Sequence, residues 1–325
     1  MDILFQIIIF FVSLFFLSEF SRETIKASIK LSKLTKIEEL SIGLILLSIL
    51  TSLPEIAVSV AAISTKHIDI ALGNIFGSVI ANICLVLGTS ALFFPLYLTE
   101  DTLEKILNML TITISIILLF LTLATASKIV GLVLLIVFFC YTLYSTKRRI
   151  TIKRLTYRPT SFLEKILKPV EIYKQIFKLS FSVFGVIFFS DFLVRSGSIL
   201  ASYASISETL LGATLIAMST SLPELSLTFV ALKKRHVNLA LGNIIGSCLV
   251  DLSLVLGLVL LVSTFTIELL NFSLLIGFSL VSCLLLWIFL GVKGRKILER
   301  TEGLVLLIVY ILFIVLSSGI VILKI

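Results

Sequence analysis

The chain of 325 residues is 58% hydrophobic and only 14% charged, with a mean hydropathy of +1.19. A soluble domain carries about 25% charged residues, so this composition excludes a soluble globular protein and indicates an integral membrane protein. The formal net charge of +8 needs no nucleic-acid partner, because its distribution among the loops accounts for it.

Apolar stretches long enough to cross the hydrocarbon, which takes about 20 residues, predict ten spans. The first half carries 3–20, 38–63, 69–96, 106–126 and 129–145. The second carries 176–196, 205–232, 237–264, 269–292 and 303–323. The expected class is therefore all-α, ten transmembrane helices arranged as two five-helix repeats. Met1-Asp2 leads into the first span with no basic residue, and no small-residue cleavage site follows. That pattern is unlike a secretory signal, so 3–20 is expected to be a retained helix.

Assigning the loops alternately to two sides divides Lys and Arg 23 to 4. The rich side holds Arg22 to Lys36, Lys105, ten residues from Lys147 to Lys178, Lys233 to Arg235, and Lys293 to Arg300; the poor side holds Lys66, Lys128, Arg195 and Lys324. By the positive-inside rule the rich side is cytoplasmic, which predicts both termini outside. The expected organisation is a first repeat over 1–145, a basic cytoplasmic linker over 146–175, and a second repeat over 176–325. Residues 147–168 read as a topology determinant more readily than as a lipid-headgroup site. Cys84, Cys140, Cys248 and Cys283 are scattered through apolar spans without CxxC spacing and are expected to be packing residues.

Residues 48–88 align with 217–257 at a constant offset of 169, with 18 identities in 41 positions and no gap. Thr51-Ser52-Leu53-Pro54-Glu55 matches Thr220-Ser221-Leu222-Pro223-Glu224, and Gly73-Asn74 with Gly77-Ser78 matches Gly242-Asn243 with Gly246-Ser247. Five spans is an odd number, so the second half enters the membrane inverted relative to the first. Inverted repeats are a signature of secondary transporters, whose sites lie at the repeat interface beside interrupted helices. Pro54 and Pro223 each remove a backbone donor and free carbonyls just ahead of a glutamate.

An ionised side chain at the bilayer centre costs about 2.5–3.5 kcal/mol and is functional by default. Ser48, Ser52, Glu55 and Ser59 share one helix face, as do Ala217, Ser221, Glu224 and Thr228. The following spans present Asn74, Ser78, Asn82 and Asn243, Ser247, Asp251, again four residues apart. Two glutamates, hydroxyls and freed carbonyls suit a hard cation such as calcium, which takes six to eight oxygen ligands. Soft-metal donors are missing there, since His67 and His236 fall at loop edges. The small-xxx-small pairs Gly73/Gly77 and Gly242/Gly246 would let their helices press against the glutamate-bearing ones. Glu19 and Asp191, near the ends of the first and sixth spans, read as structural pairs or access-path residues more readily than as primary ligands.

These doubled TSLPE and GNxxGS motifs resemble the two alpha-repeats of the sodium/calcium exchangers, within the calcium:cation antiporter superfamily, and the chain is similar to its small prokaryotic members. The resemblance implies Na+/Ca2+ antiport by alternating access, with both ions competing for one carboxylate cluster. It implies Glu55 and Glu224 as central calcium ligands, with the backbone carbonyls of Thr51 and Thr220. Sodium sites would use Ser52, Ser78, Ser221, Ser247 and the carbonyl region of Ser48 and Ala217, while Asn82 and Asp251 would complete the cluster. The chain departs from the family where Leu50 and Ser219 replace a usual glycine and Ser48 a common alanine.

The expected partners are the lipid bilayer and the transported Ca2+ and Na+, with no resident cofactor, no nucleic acid and no obligatory protein partner. A proton/calcium antiporter is the alternative. A channel fits the compact inverted glutamate pair less well, and no Ser-His, HExxH or phosphate-loop pattern suggests an enzyme.

Overall fold

A computed structural model describes residues 3–35, 43–123, 125–147, 162–263, 267–268, 272–291 and 297–322. In the first half the helices are α1 (Ile3–Thr35), α2 (Gly43–Thr51), α3 (Leu53–Ser64), α4 (Ile68–Ile80), α5 (Gly88–Phe93), α6 (Glu100–Thr122) and α7 (Lys128–Lys147). In the second half they are α8 (Phe162–Tyr203), α9 (Glu208–Leu211), α10 (Ala217–Thr220), α11 (Leu222–Lys233), α12 (Val237–Val250), α13 (Leu256–Val262), α14 (Ser273–Gly291) and α15 (Arg300–Ile322). Three π-helical stretches, Ala81–Leu87, Gly212–Ile216 and Asp251–Val255, join α4 to α5, α9 to α10 and α12 to α13.

These elements fall into ten segments, as the apolar pattern predicts. Among the described residues eight segments are individually long and apolar enough to span. The second segment is described as α2 and α3, which meet at Ser52; residues 36–42, at its start, lie outside the described residues. The fifth carries a shorter apolar helix, Lys128–Tyr144.

Two strand pairings check the alternation of the crossings. β1 (Leu96–Tyr97) precedes α6, β2 (Thr125–Ala126) precedes α7, β3 (Ile267–Glu268) precedes α14 and β4 (Ile297–Leu298) precedes α15. β1 pairs antiparallel with β4, placing Leu96 opposite Leu298, and β2 pairs with β3, placing Ala126 opposite Ile267. The first pairing joins the loops after the third and ninth segments, and the second joins those after the fourth and eighth. Ten alternating crossings place each pair of loops on one side; an odd miscount between partners would separate them by a membrane.

The repeat motifs form the centre. The spans Ile68–Phe93 and Val237–Val262 are 94% and 83% buried over their apolar windows, whereas the α1 span is 22% buried. Where Gly73 and Gly77 face the seventh segment the backbones touch. A Cβ on Gly73 would stand 2.6 Å from the Thr209 carbonyl oxygen, and one on Gly77 2.5 Å from that of Ala213. The expected close approach to a glutamate-bearing segment is therefore present on this side.

Several sequence expectations need correction. α1 runs to Thr35 rather than ending near residue 20, and α8 starts at Phe162 rather than 176, taking up part of the expected linker; residues 148–161 lie outside the described residues. Charged residues end a hydropathy window but not a helix. Here the extensions support each other through Lys30–Glu171 (2.5 Å) and Lys178–Glu23 (3.5 Å), with Glu23 also paired to Lys26 one turn on (2.6 Å). Asp191 and Arg195 consequently lie inside α8, not at its end or in a loop, and pair with each other at 2.8 Å. Glu19 pairs with Arg22 in the same way. Cys84, Cys248 and Cys283 are buried, but Cys140 is exposed on the protein surface rather than packed.

The contrast between glycines gives a test. Ala at a helical position is intrinsically favoured over Gly by about 0.8–1.0 kcal/mol, yet Gly77→Ala drives a methyl into backbone while Gly277 has nothing within 4 Å. Gly77→Ala should lower the unfolding temperature of the purified protein, and Gly277→Ala should leave it unchanged or raise it. Equal tolerance of both, read by fluorescence-detected thermal unfolding, would contradict the packing described.

Candidate functional site

The two broken helices are built alike. Ser52 (φ −79°, ψ 9°) separates α2 from α3, and Ser221 (φ −81°, ψ 3°) separates α10 from α11. Pro54 and Pro223 follow in the first turn of the new helix, where a missing N–H is tolerated. The same missing N–H leaves the carbonyls of Leu50 and Ser219, four residues earlier, without their helical donor. Glu55 and Glu224 come immediately after, both fully buried.

Side chains of one half close on the other. The Thr51 hydroxyl reaches Asn243 Oδ1 (3.2 Å), and the Thr220 hydroxyl reaches Asn74 Oδ1 (3.1 Å), the same bond repeated at the sequence offset. Each threonine also reaches back to its own helix, Thr51 to the Ser48 carbonyl (3.2 Å) and Thr220 to that of Ala217 (3.1 Å). Ser48 Oγ donates across to the Asn243 carbonyl (3.3 Å). Ser247 Oγ contacts Thr51 Oγ1 (3.1 Å) and donates to Glu224 Oε1 (3.4 Å). Asn74 Nδ2 donates to the Glu55 carbonyl (3.4 Å) and Ser59 Oγ (3.2 Å).

Each residue named from the sequence, namely Ser48, Thr51, Ser52, Glu55, Ser78, Asn82, Ala217, Thr220, Ser221, Glu224, Ser247 and Asp251, is buried. The Glu224 carboxyl lies within electrostatic reach of both Glu55 and Asp251, and Asp251 within reach of Glu55. Thr220 and Ser221 face Glu55, Thr51 faces Glu224, and Ser52 faces Asp251. Each glutamate is thus flanked by hydroxyls from the opposite half.

The accounting of polar atoms singles this region out. Among the described residues thirteen buried side-chain nitrogen and oxygen atoms have no hydrogen-bond partner, and all but Ser317 Oγ belong to residues 52–82 or 221–251. They include both carboxyl oxygens of Glu55 and Asp251, Glu224 Oε2, both amide atoms of Asn82, and the hydroxyls of Ser52, Ser78 and Ser221. Leaving one such group unsatisfied costs about 1–3 kcal/mol, and more for a charge. No group of three His, Cys, Asp or Glu side chains among the described residues converges tightly enough to hold a metal by itself. The donor set is mixed: carboxylates spaced by hydroxyls, an amide and backbone carbonyls.

Sequence reading did not assign Asn74 and Asn243 to the site. Their place in the GN motif, with a threonine in the partner repeat, was the available signal. It also missed that Asn82 and Asp251, equivalent in the repeat, both occupy π-helical stretches, a rare geometry that recurs at functional sites. His67 lies at the loop edge just before α4, as expected, and its ring bonds Glu208 on the seventh segment (2.9 Å), while Ser198 Oγ donates to the same carboxylate.

The sequence profile of the family described as "Sodium/calcium exchanger protein" matches residues 5–147 and 174–319. The chain belongs to that family. It is 30% identical over 281 residues to the putative antiporter CaxA of Alkalimonas amylolytica, covering 85% of this chain and 86% of that one. It is 27% identical to the sodium/calcium exchanger MaX1 of Methanosarcina acetivorans, over 95% and 97% of the two chains. Among solved structures it is similar to the sodium-calcium exchanger NCX_Mj soaked with Na+ and Sr2+, at 27% identity and a TM-score of 0.68, over 97% and 99% of the chains. Family and fold are those of a membrane exchanger, not an enzyme.

The crossed threonine–asparagine bonds should be measurable. Thr51→Val or Thr220→Val strands a buried amide oxygen and should each cost about 1–3 kcal/mol of stability. Combining either with Leu at its asparagine partner should cost less than the sum of the single changes. Strict additivity in such a cycle, by thermal or denaturant unfolding, would mean that the pairs are not coupled.

Proposed function

We propose that this membrane exchanger trades sodium for calcium, the two ions competing for the Glu55–Glu224–Asp251 cluster at mid-membrane. The observation that carries the reading is the concentration of unpartnered buried oxygens on two inverted, interlocked motifs. A hard cation is the group that would satisfy carboxylate, hydroxyl and carbonyl donors together. The family membership and the names of MaX1 and NCX_Mj support the same pair of ions.

In this reading Glu55 and Glu224, with the backbone carbonyls of Thr51 and Thr220, hold calcium. Ser52, Ser78, Ser221, Ser247 and the carbonyl region of Ser48 and Ala217 hold sodium in flanking positions. Two glutamates balance one divalent ion, so Asp251, opposite Asn82 in the repeat, adds one negative charge too many. A proton shared by the cluster or held at Asp251 offsets it when calcium is bound. Because both ions need the same carboxylates, the protein carries one or the other, and exchange follows. The basic side is cytoplasmic and both termini lie outside.

Glu55→Gln or Glu224→Gln keeps the volume and removes a charged ligand, and should reduce calcium uptake more than about tenfold in folded protein. Asp251→Asn should retain substantial uptake. Near-normal uptake by both glutamine variants would remove the proposed site.

The coupling ion is read from calcium uptake into sodium-loaded proteoliposomes with the voltage clamped by potassium and valinomycin. The extra hydroxyls imply more than two sodium ions per calcium, so inside-positive voltage should speed uptake. Uptake that ignores sodium and voltage but follows a pH gradient would establish proton/calcium antiport instead.

A further inference from the structure

The turn between α3 and α4 fixes the position of a histidine. Lys66 adopts a left-handed conformation (φ 66°), its N–H donates to the Ile63 carbonyl (3.1 Å), and the His67 N–H donates to that of Ala62 (2.8 Å). This paired bonding closes α3 and sets the backbone from which the His67 ring reaches Glu208 in the first turn of α9. Nδ1 lies 2.9 Å from Oε1 and 3.2 Å from Oε2. The same Oε1 accepts from Ser198 Oγ on α8. The α3–α4 turn, α8 and the start of the seventh segment therefore meet on one carboxylate.

What that carboxylate holds is the outer part of the seventh segment. A Cβ on Gly212 would stand 2.7 Å from the Ile70 carbonyl oxygen, which continues the backbone seam that Thr209 and Ala213 make with Gly73 and Gly77. On its other flank the same stretch borders an open apolar groove of about 370 Å³. Leu210, Thr214 and Met218 line it, with Tyr310 and Ile314 of α15 opposite. The segment is thus seated on α4 along one flank and has room along the other. Its helical bonding is interrupted between the two by the π-helical stretch Gly212–Ile216, a geometry at which helices bend.

We propose that His67, Ser198 and Glu208 form a clasp operated by protons from the outer solution: acidification tightens it, holds the start of the seventh segment on α4, and slows exchange. It rests on the orientation and the exchanger reading above. An ionised carboxylate only accepts hydrogen bonds, so the neutral ring carries its proton on Nδ1, and acid adds the second proton at Nε2. The bond to Glu208 is then charge-assisted, about twice as strong as a neutral one. Histidine is the side chain whose ordinary titration falls between about pH 5 and 8. With His67 29% and Glu208 26% exposed, water reaches the pair. The other charges nearby do not take its place. Asp69, the one charged residue of α4, lies within electrostatic reach of Glu208 and adds a second negative charge rather than a counter-ion. Lys66 and Tyr203 are exposed, and Arg195, one turn before Ser198 on α8, is held by Asp191. The remaining charges of α8 lie at its opposite end, and α3 and α9 carry none besides the buried Glu55 and Glu208 itself.

Amide hydrogen exchange on the full-length protein in lipid nanodiscs tests the clasp without depending on the ion carried. Dividing wild-type rates by those of His67→Gln at the same pH cancels the intrinsic pH dependence of the chemistry. Glutamine keeps an N–H donor but cannot become charged. Over the amides of α9 and the π-helical stretch after it, the ratio should be near one at about pH 8 and lower by about two- to threefold at about pH 5.5, the scale of a partly exposed ion pair. Ser198→Ala removes a bond that does not titrate and should speed these amides equally at both pH values. A ratio that ignores pH would overturn the clasp. Should His67→Gln fail to fold, the ratio to Glu208→Gln decides alone, since it must also fall with acid. The transport arm uses right-side-out proteoliposomes with the inner solution held near neutrality. Acidifying only the outside should slow sodium-driven calcium uptake about two- to threefold more in wild type than in His67→Gln. Titration of the Glu55–Glu224–Asp251 cluster is common to both and cancels, and His236→Gln, on the opposite side, should behave as wild type. Equal slowing in wild type and His67→Gln would reduce His67 to a structural contact and overturn the inference. A pH-dependent exchange ratio in a protein that moves neither sodium nor calcium would keep the clasp and discard those ions.

Discussion

Inside hydrocarbon every polar group must find its partner within the protein, and among the described residues this protein breaks that rule almost entirely in one region. Apart from Ser317 Oγ on α15, the atoms left without partners are gathered at the breaks Ser52 and Ser221, on α3, α4, α11 and α12, and on the π-helical stretches that follow α4 and α12. Holding several carboxylates, hydroxyls and amides there without internal partners demands compensation from the surroundings. The compensation is visible in the packing: the spans that begin with α4 and α12 are the most enclosed of the candidate spans, the glycines of α4 bring backbone against backbone, and the Thr–Asn bonds fasten each repeat to its counterpart.

The halves are therefore not separate bodies joined by a linker. Both strand pairings cross between them, and both glutamates have hydroxyls of the opposite half beside them. The outer pair, α1 with α8, is held differently. Phe16 stacks on Phe189 at 4.8 Å, Phe20 sits against Gly185, and ion pairs join the charged extensions. Aromatic faces tolerate sliding better than a fixed set of buried hydrogen bonds does. Rigidity is thus concentrated at the centre, and the elements facing lipid are the ones least committed to one register.

The parts legible in the sequence were those written in a repeated or periodic code. A constant offset of 169 fixed the pairing of motifs, and loop charge fixed the count of crossings. Helix periodicity placed Ser48, Ser52, Glu55 and Ser59 on one buried face. What escaped has no such code. A π-helical turn differs from an α-turn by one hydrogen-bond register and leaves no mark in apolar composition. The two-residue strands at Leu96 and Thr125 are set by their partners far along the chain. The lengths of α1 and α8 escaped because a hydropathy window stops at charge, whereas Lys30 and Glu171 prolong the helices through each other. Asn74 and Asn243 were visible as polar residues, but that they bond across the repeat is a fact of packing.

The departures from the family's usual residues can now be weighed by where their side chains go. Ser219 is half-buried and donates to the Leu215 carbonyl of its own helix (2.6 Å), and Leu50 is half-buried as well. The Ser219 hydroxyl proton is therefore engaged within its own helix, and what it and Leu50 share is the backbone carbonyl that the following proline leaves without a helical N–H. Ser48 is different. Its hydroxyl is buried, it reaches the Asn243 carbonyl at 3.3 Å, and its counterpart Ala217 has no hydroxyl to do the same. One end of the site is thus clamped by a bond that the other end lacks. Asp251 against Asn82 adds a second inequality, this time of charge. The motifs repeat, but their donors do not, and in the proposed reading an ion on the Ser48 side would meet a chemically distinct setting from one on the Ala217 side.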